Sequence, residues 1–259
     1  MKIVFDVDGT ISFDGKRISQ AIVSRINRLT PNRHDLIFAS ARPIRDLLPI
    51  IQDFSKATLI GGNGSIVSCE GRIKVIRPIR NRDYEMLKQL IKEMQLDYII
   101  DGQWNYASRV HQGSMILNQL DPDRLAQNVD LEAIKRPIKV ILLNLSKQQI
   151  REIAIVLERQ TELSIIEHHG ENNIDLTAQG INKFTTFQKL FPKESYIAFG
   201  NDDNDRELLL HAFKSVWIGK QSGAIQAGIP QSDYCYPGNI DGALSGIDRI
   251  AKELGTLKW

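Results

Sequence analysis

Two aspartates one residue apart, Asp6 and Asp8, follow the apolar run Ile3-Val4-Phe5 and precede Gly9-Thr10. The run reads as a buried strand, and residues i and i+2 of a strand point the same way. Both carboxylates therefore leave the strand end on one side, an arrangement that suits a divalent cation and a nucleophile. Gly9 lets the backbone bend back over whatever they hold. The same string by itself also fits a solvated acidic turn. Its place at the end of the first strand of an open α/β sheet, where ligands bind, favours chemistry. Ser40 ends a second apolar strand, Leu36-Ile37-Phe38-Ala39, at what should be the same sheet edge. Its hydroxyl, with the Ala41 N–H beside it, can bind a phosphoryl oxygen or cap a helix. Arg42 can hold a phosphate through two parallel bonds or lie in solvent at a helix start. Lys183 opens a helix after Gly180-Ile181-Asn182. A cation there opposes the helix dipole, so another charge should compensate it. The loop Gly200-Asn201-Asp202-Asp203-Asn204-Asp205 sets three acids and two amides behind a strand. They repel one another unless a cation or a lysine neutralises them, although acids also suit a helix N-terminus.

These residues need a scaffold that alternates strand and helix. Lys2 to Phe5, Asp35 to Ala39 and Thr58 to Ile60 read as strands, with a helical face of Ile22, Ile26 and Leu29 between the first two. Pro43 suits the first turn of a further helix that Pro49 should bend or end. Ile66 to Val75 reads as a hairpin turning at Glu70-Gly71. The order predicts a right-handed parallel sheet. The middle of the chain differs. Amphipathic helices over Arg82 to Gln95 and Lys147 to Arg159 alternate with strands at Asp97 to Ile100, Asn105 to Val110 and Ile138 to Leu145. Asp121-Pro122 is expected to start a short helix. Leu163 to Glu167 and Asn173 to Leu176 are expected to pair across Gly170. Strand and helix alternation then resumes, with a terminal helix over Ile247 to Leu254. The expected organisation is a core of residues 1–78 plus 179–259, interrupted by a smaller α+β domain at 79–178.

Composition excludes several classes. The chain has 259 residues, 42% hydrophobic, with 33 basic and 31 acidic residues and a net charge of +2. Length and hydrophobic fraction fit a globular protein with a sizeable core. The charge balance gives no reason to expect nucleic acid or an anionic membrane as a partner. No run approaches the roughly 18 apolar residues of a membrane span, and Asp6 interrupts the first apolar run too early for a signal peptide. Cys69 and Cys235 are far apart without metal-ligand spacing, which points to reduced thiols in a cytoplasmic protein.

Asp6-Val7-Asp8-Gly9-Thr10 resembles the first motif of the haloacid dehalogenase-like phosphohydrolases. Ile37-Phe38-Ala39-Ser40 resembles the second, Gly180-Ile181-Asn182-Lys183 the third, and Gly200-Asn201-Asp202-Asp203-Asn204-Asp205 the fourth. Gly62-Asn63-Gly64 resembles the turn that precedes the cap in type-IIB, or Cof-type, members. The resemblance covers the core and implies an α/β fold: a Rossmann-like parallel-sheet core with an inserted α+β cap. It implies a Mg²⁺-dependent phosphatase acting on a small phosphomonoester, a sugar phosphate by expectation, as a monomer or homodimer. Asp6 would attack phosphorus, and Asp8 would protonate the leaving group and then activate water. Ser40 and Lys183 would stabilise the phosphoryl group. Gly9, Ala41, Arg42, Asn63 and Asn204 would bind substrate, and Asp6, Asp8, Asn201 and Asp202 would hold the metal. Asp205 would orient the surrounding shell. The chain departs from the family in two places: Ala41 replaces a glycine, and Asn201 replaces an acid that normally binds magnesium.

Candidate specificity residues in the cap are Asp101, Trp104, Tyr106, Arg109 and His111, whose aromatic and hydrogen-bonding groups suit a sugar. Cap packing and solvated loops account for each of them singly as well. His168-His169 is a weak metal pair, because adjacent strand residues point apart. Two alternatives share the core motifs: a phosphomutase, which returns phosphate to its substrate, and a phospho-ligand-binding protein with a weakened metal site. A receiver domain would also carry paired acids and a lysine, but is near half this length and lacks the Asp-x-Asp-Gly-Thr string.

Overall fold

A computed structural model describes residues 1–29, 35–111, 115–168 and 172–256. The chain begins with β1 (Lys2–Asp6), α1 (Gln20–Asn27), β2 (Asp35–Ala39), α2 (Ile44–Leu47), β3 (Thr58–Gly61), β4 (Ile66–Cys69) and β5 (Arg72–Val75). It continues with α3 (Asn81–Glu93), β6 (Asp97–Asp101), β7 (Tyr106–Arg109), β8 (Lys139–Leu143), α4 (Lys147–Gln160), β9 (Ser164–His168) and β10 (Asn173–Thr177). It ends with α5 (Lys183–Leu190), β11 (Tyr196–Gly200), α6 (Arg206–Leu210), β12 (Lys214–Ile218), α7 (Gln221–Gln226), β13 (Tyr234–Tyr236) and α8 (Ile240–Thr256).

The strands form two sheets. The larger runs β13-β12-β11-β1-β2-β3-β4-β5, parallel from β13 to β3 with the β4–β5 hairpin added antiparallel at one edge. Its central strands are apolar on both faces, as a sheet covered on two sides requires. Ile3 and Phe5 face a cluster with Ile22, Ile26, Ile247 and Ile250 from α1 and α8. Val4, Ile37 and Ala198 face the other side with Phe187 from α5 and Leu208 from α6. Phe5 stacks on Phe199 at 4.5 Å between ring centres, which packs β1 against β11 beneath the site.

The smaller sheet, β7-β6-β8-β10-β9, is antiparallel throughout. Ile100, Val140, Leu142 and Ile174 bury one face under α3 and α4. Strand alternation therefore turns Ile99, Asp101, Lys139, Ile141, Asn173 and Asp175 to the opposite face, where all six line a cavity shared with the larger sheet's edge.

Two expectations change. Asp121 starts no helix: its φ is +45°, and its carboxylate accepts the N–H groups of Leu125 and Ala126 at 2.8 and 3.1 Å. That local satisfaction of the backbone competes with helix formation. Short 3₁₀ turns stand at Met115–Asn118 and Leu131–Ala133 instead. The terminal helix starts at Ile240 rather than Ile247, where the Asn239 side chain accepts the Gly242 N–H at 2.9 Å. The helix at Pro43 ends after Leu47, ahead of Pro49 as expected, and a 3₁₀ turn at Gln52–Phe54 completes the connection. Strands β9 and β10 pair as a hairpin, while the expected turn residue Gly170 and the residue His169 lie outside the described residues.

Candidate active site

β1 lies between β11 and β2, and the C-terminal ends of these three parallel strands supply Asp6, Asn201 and Ser40. This is the crevice beyond the carboxyl ends of an open parallel sheet where ligands bind. Lys183 enters from the first residue of α5. Its neighbour Asn182 closes a capping box with Thr185, which fixes where the helix starts and so where the lysine emerges.

Lys183 is 1% exposed. Its Nζ donates to Asp6 Oδ1 at 2.6 Å, Asp205 Oδ1 at 2.7 Å and Asn204 Oδ1 at 2.8 Å. All three ammonium hydrogens thus have acceptors, and the compensating charge expected at this helix start is two carboxylates. Burial lowers the lysine's pKa, but Asp205 and Asp6 override it and hold the amine above its ordinary value. Asp6 is perturbed in the other direction: burial first, then repulsion from Asp205, push its carboxyl up to about 7 against the pull of Lys183 and Thr10. The Asp205 Oδ2 accepts the backbone N–H groups of Asn201 and Asp202 at 3.0 and 3.3 Å, so one buried carboxylate ties the loop to the lysine.

Thr10 is a site residue that the sequence reading left unassigned. Its Oγ1 lies 2.8 Å from Asp6 Oδ2 and 2.8 Å from Asn201 Oδ1. Only the Asp-x-Asp-Gly-Thr string itself carries a sequence signal for it. Gly9 has φ +79°, and a Cβ there would lie 2.4 Å from Asn201 Nδ2, so this turn needs glycine to let Asn201 approach Asp6.

Asp8 sits in different surroundings. Its side chain is 38% exposed, and Arg42 forks onto it, Nε to Oδ2 at 2.8 Å and Nη2 to Oδ1 at 2.7 Å. The third guanidinium nitrogen, Nη1, is buried without a hydrogen-bond partner among the described residues. Ser40 Oγ accepts the Arg42 N–H at 3.1 Å. Asp6, Asp8, Ser40, Ala41, Arg42, Asn201, Asp202 and Asn204 all line one cavity of about 210 Å³. Lys183 sits directly behind Asp6. Gly9 and Asn63 are not among the lining residues. Asn63 is buried with φ +54°, and neither side-chain amide atom is hydrogen-bonded among the described residues.

Among the described residues no cluster of three or more His, Cys, Asp or Glu stands ready to hold a cation. The donors that converge are Asp6 Oδ2 and Asn201 Oδ1, both against the Thr10 hydroxyl, with Asp202 on the same cavity wall. This sparse, all-oxygen set fits Mg²⁺, which takes one or two carboxylates and completes its shell with water and substrate phosphate.

Of the cap candidates, only Asp101 lines the cavity. Trp104 and Tyr106 face Arg45: the Trp104 carbonyl accepts from its guanidinium at 2.8 Å, and the Tyr106 ring centre lies 4.7 Å away. Arg109 turns to the other side, donating to the Leu96 carbonyl at 2.7 Å, and His111 contacts Asp97. Sequence reasoning missed Arg45, Asp46, Lys139 and Asp175, which carry no motif.

A parallel sheet with two acids at its first strand end, a buried lysine from a helix start and an acidic loop defines a hydrolase site of a recognisable class. The chain belongs to the haloacid dehalogenase-like hydrolases, whose family model matches residues 3–228. It is 25% identical over 248 residues to the 5-amino-6-(5-phospho-D-ribitylamino)uracil phosphatase YitU of Bacillus subtilis, covering 86% of this chain and 88% of that protein. It is 23% identical over 247 residues to the HMP-PP phosphatase of Klebsiella pneumoniae, covering 87% and 86%. Its fold matches a solved haloacid dehalogenase subclass IIB sugar phosphatase with a TM-score of 0.76, at 20% identity over 99% of both chains. No helix among the described residues is long and apolar enough to cross a membrane.

Proposed function

We propose that this chain is a Mg²⁺-dependent phosphatase that hydrolyses a small phosphomonoester through a phosphorylated Asp6. The observation that carries this reading is the pair of aspartates opening on one cavity in different surroundings. Asp6 is buried against Lys183, and Asp8 is half-exposed in the fork of Arg42. Two carboxylates in unlike environments suit two roles. The names of the two relatives, both phosphatases, support the same class of reaction.

An Asp6 oxygen attacks phosphorus in line while the bond to the leaving oxygen breaks. Arg42 first releases Asp8, which takes up a proton from solvent, gives it to that oxygen and so releases the alcohol. Asp8 then takes a proton from water as the water oxygen attacks phosphorus, which frees phosphate and restores Asp6. The Ser40 hydroxyl donates to a phosphoryl oxygen. Arg42 lines the same wall, and its Nη1, without a hydrogen-bond partner among the described residues, is a further donor. Lys183 holds Asp6 in place and offsets the negative charge that gathers there. Asp6, Asn201 and Asp202 would hold Mg²⁺, which neutralises phosphoryl oxygens when bound. The inserted cap closes the cavity from above and keeps bulk water from the first step.

Phosphate release from a panel of sugar phosphates, with and without Mg²⁺, tests the reading. Mg²⁺-dependent release that falls by about 10³-fold or more in Asp6→Asn is expected for loss of a nucleophile. Release that persists in Asp6→Asn refutes it, and isomerised ester with little free phosphate identifies a mutase.

A further inference from the structure

The cap side of the cavity is built around one buried guanidinium. Arg45 is 1% exposed. Its Nε and Nη2 reach Asp46 at 2.6 and 2.8 Å, and Nη2 also reaches Asp101 Oδ1 at 3.0 Å. Asp121 stands 4.0 Å away, and its backbone N–H donates to Asp46 Oδ1 at 3.1 Å. Three buried carboxylates thus share a single cation. Across the sheet, Lys139 is opposite Asp101 in register, but its Nζ is already held by Asp175 at 2.6 Å and by the Ala41 carbonyl at 3.3 Å. Lys139 and Asp175 therefore form an ion pair beside the Arg45 cluster.

Asp101 is the group in this cluster with unused capacity. It is 2% exposed and lines the cavity. One oxygen accepts from Arg45, and the other takes no hydrogen bond among the described residues. An acceptor on a residue that lines a cavity can take a donor from the occupant. Excess negative charge on the same wall repels a second anion. The cavity of about 210 Å³ is below the roughly 300 Å³ at which sites for drug-sized ligands begin, so the occupant is small.

Resting on the phosphatase reading, we propose that the leaving group is a small polyol or amine with hydrogen-bond donors and no second anionic group, and that Asp101 is the residue that selects it. Esters bearing a carboxylate or a second phosphate are turned away by the Arg45-centred wall.

Four matched esters test this: sorbitol 6-phosphate, glucosamine 6-phosphate, 6-phosphogluconate and glucose 1,6-bisphosphate. The expected kcat/KM for the first two exceeds that for the last two by about tenfold or more, carried mainly by KM. Asp101→Asn should shrink that ratio by raising KM for the amine and polyol esters and lowering it for the carboxylate ester. A purely structural role would move all four together. Equal or better use of 6-phosphogluconate by the wild-type protein overturns the proposal and leaves the phosphatase reading intact. Affinities of the Asp6→Asn protein for the same four compounds read the cavity without turnover. The same order there, with no hydrolysis by the wild type, would retain the selectivity and reject the phosphatase.

Discussion

At the scale of single residues, the site is a set of charges held in unequal surroundings. Asp6 shows this best, because burial and Asp205 push its carboxyl up to about 7 while its unfolded value is near 3.8. Below about pH 4 the group is protonated in both states and costs the fold nothing. As pH rises toward 7 the unfolded chain ionises first, so stability is lost across that window. In metal-free protein, Asp6→Asn should therefore match the wild type near pH 4, become progressively more stable than it up to about pH 7, and keep that advantage above. Urea denaturation in chelator at several pH values checks this, and a constant difference across the range would contradict it. Asp6, Ser40, Lys183 and Asn201 were legible in the sequence because each stands beside a strand end or helix start that local pattern reveals. Thr10 was legible only as part of its string. Arg45 was not legible, since its partners Asp101, Trp104 and Tyr106 are more than 50 residues away and only the folded chain brings them to it.

At the scale of elements, turns set the site's precision. Gly64 lies between β3 and β4 with φ +104°, and a Cβ there would lie 2.3 Å from the Asn182 carbonyl oxygen. Asn182 is the N-cap of α5, one residue before Lys183. Thr186 on the same helix donates to the Gly64 carbonyl at 2.7 Å. Gly64→Ala must push α5 back and strain its own backbone, so a loss of about 2 kcal/mol or more is expected. Activity should fall further than stability explains, because Lys183 moves with the helix. Denaturation midpoints and kcat on the same preparation separate the two effects, and a stable, fully active variant would show that the contact is dispensable. Most strands and long helices were readable from period-2 and period-3.6 patterns. The turn at Asp121 was not, because one side chain capping two backbone N–H groups imitates a helix start.

At the scale of the molecule, the Arg45–Asp46 pair on α2 ties the first sheet's layer to the second through Asp101, Trp104, Tyr106 and Asp121. Breaking a buried ion cluster by removing its cation leaves carboxylates uncompensated, at a cost of about 3–5 kcal/mol. Arg45→Met should show that loss by urea denaturation and admit protease at the 102–105 turn, whereas wild-type stability would mean the acids there are protonated or hydrated instead. The two-sheet organisation was legible from the change in element order along the chain, and the cavity between the sheets was not, because its cap wall carries no motif. The account's central claim is covalent transfer to Asp6. Acid-quenching the protein during turnover, reducing it with borohydride and mapping peptides by mass spectrometry tests that claim most directly, since reduction converts an aspartyl-phosphate to homoserine. The expected result is modification at Asp6, present only when substrate and Mg²⁺ are both supplied. Rapid phosphate release with no modification, or modification at another residue, would contradict it.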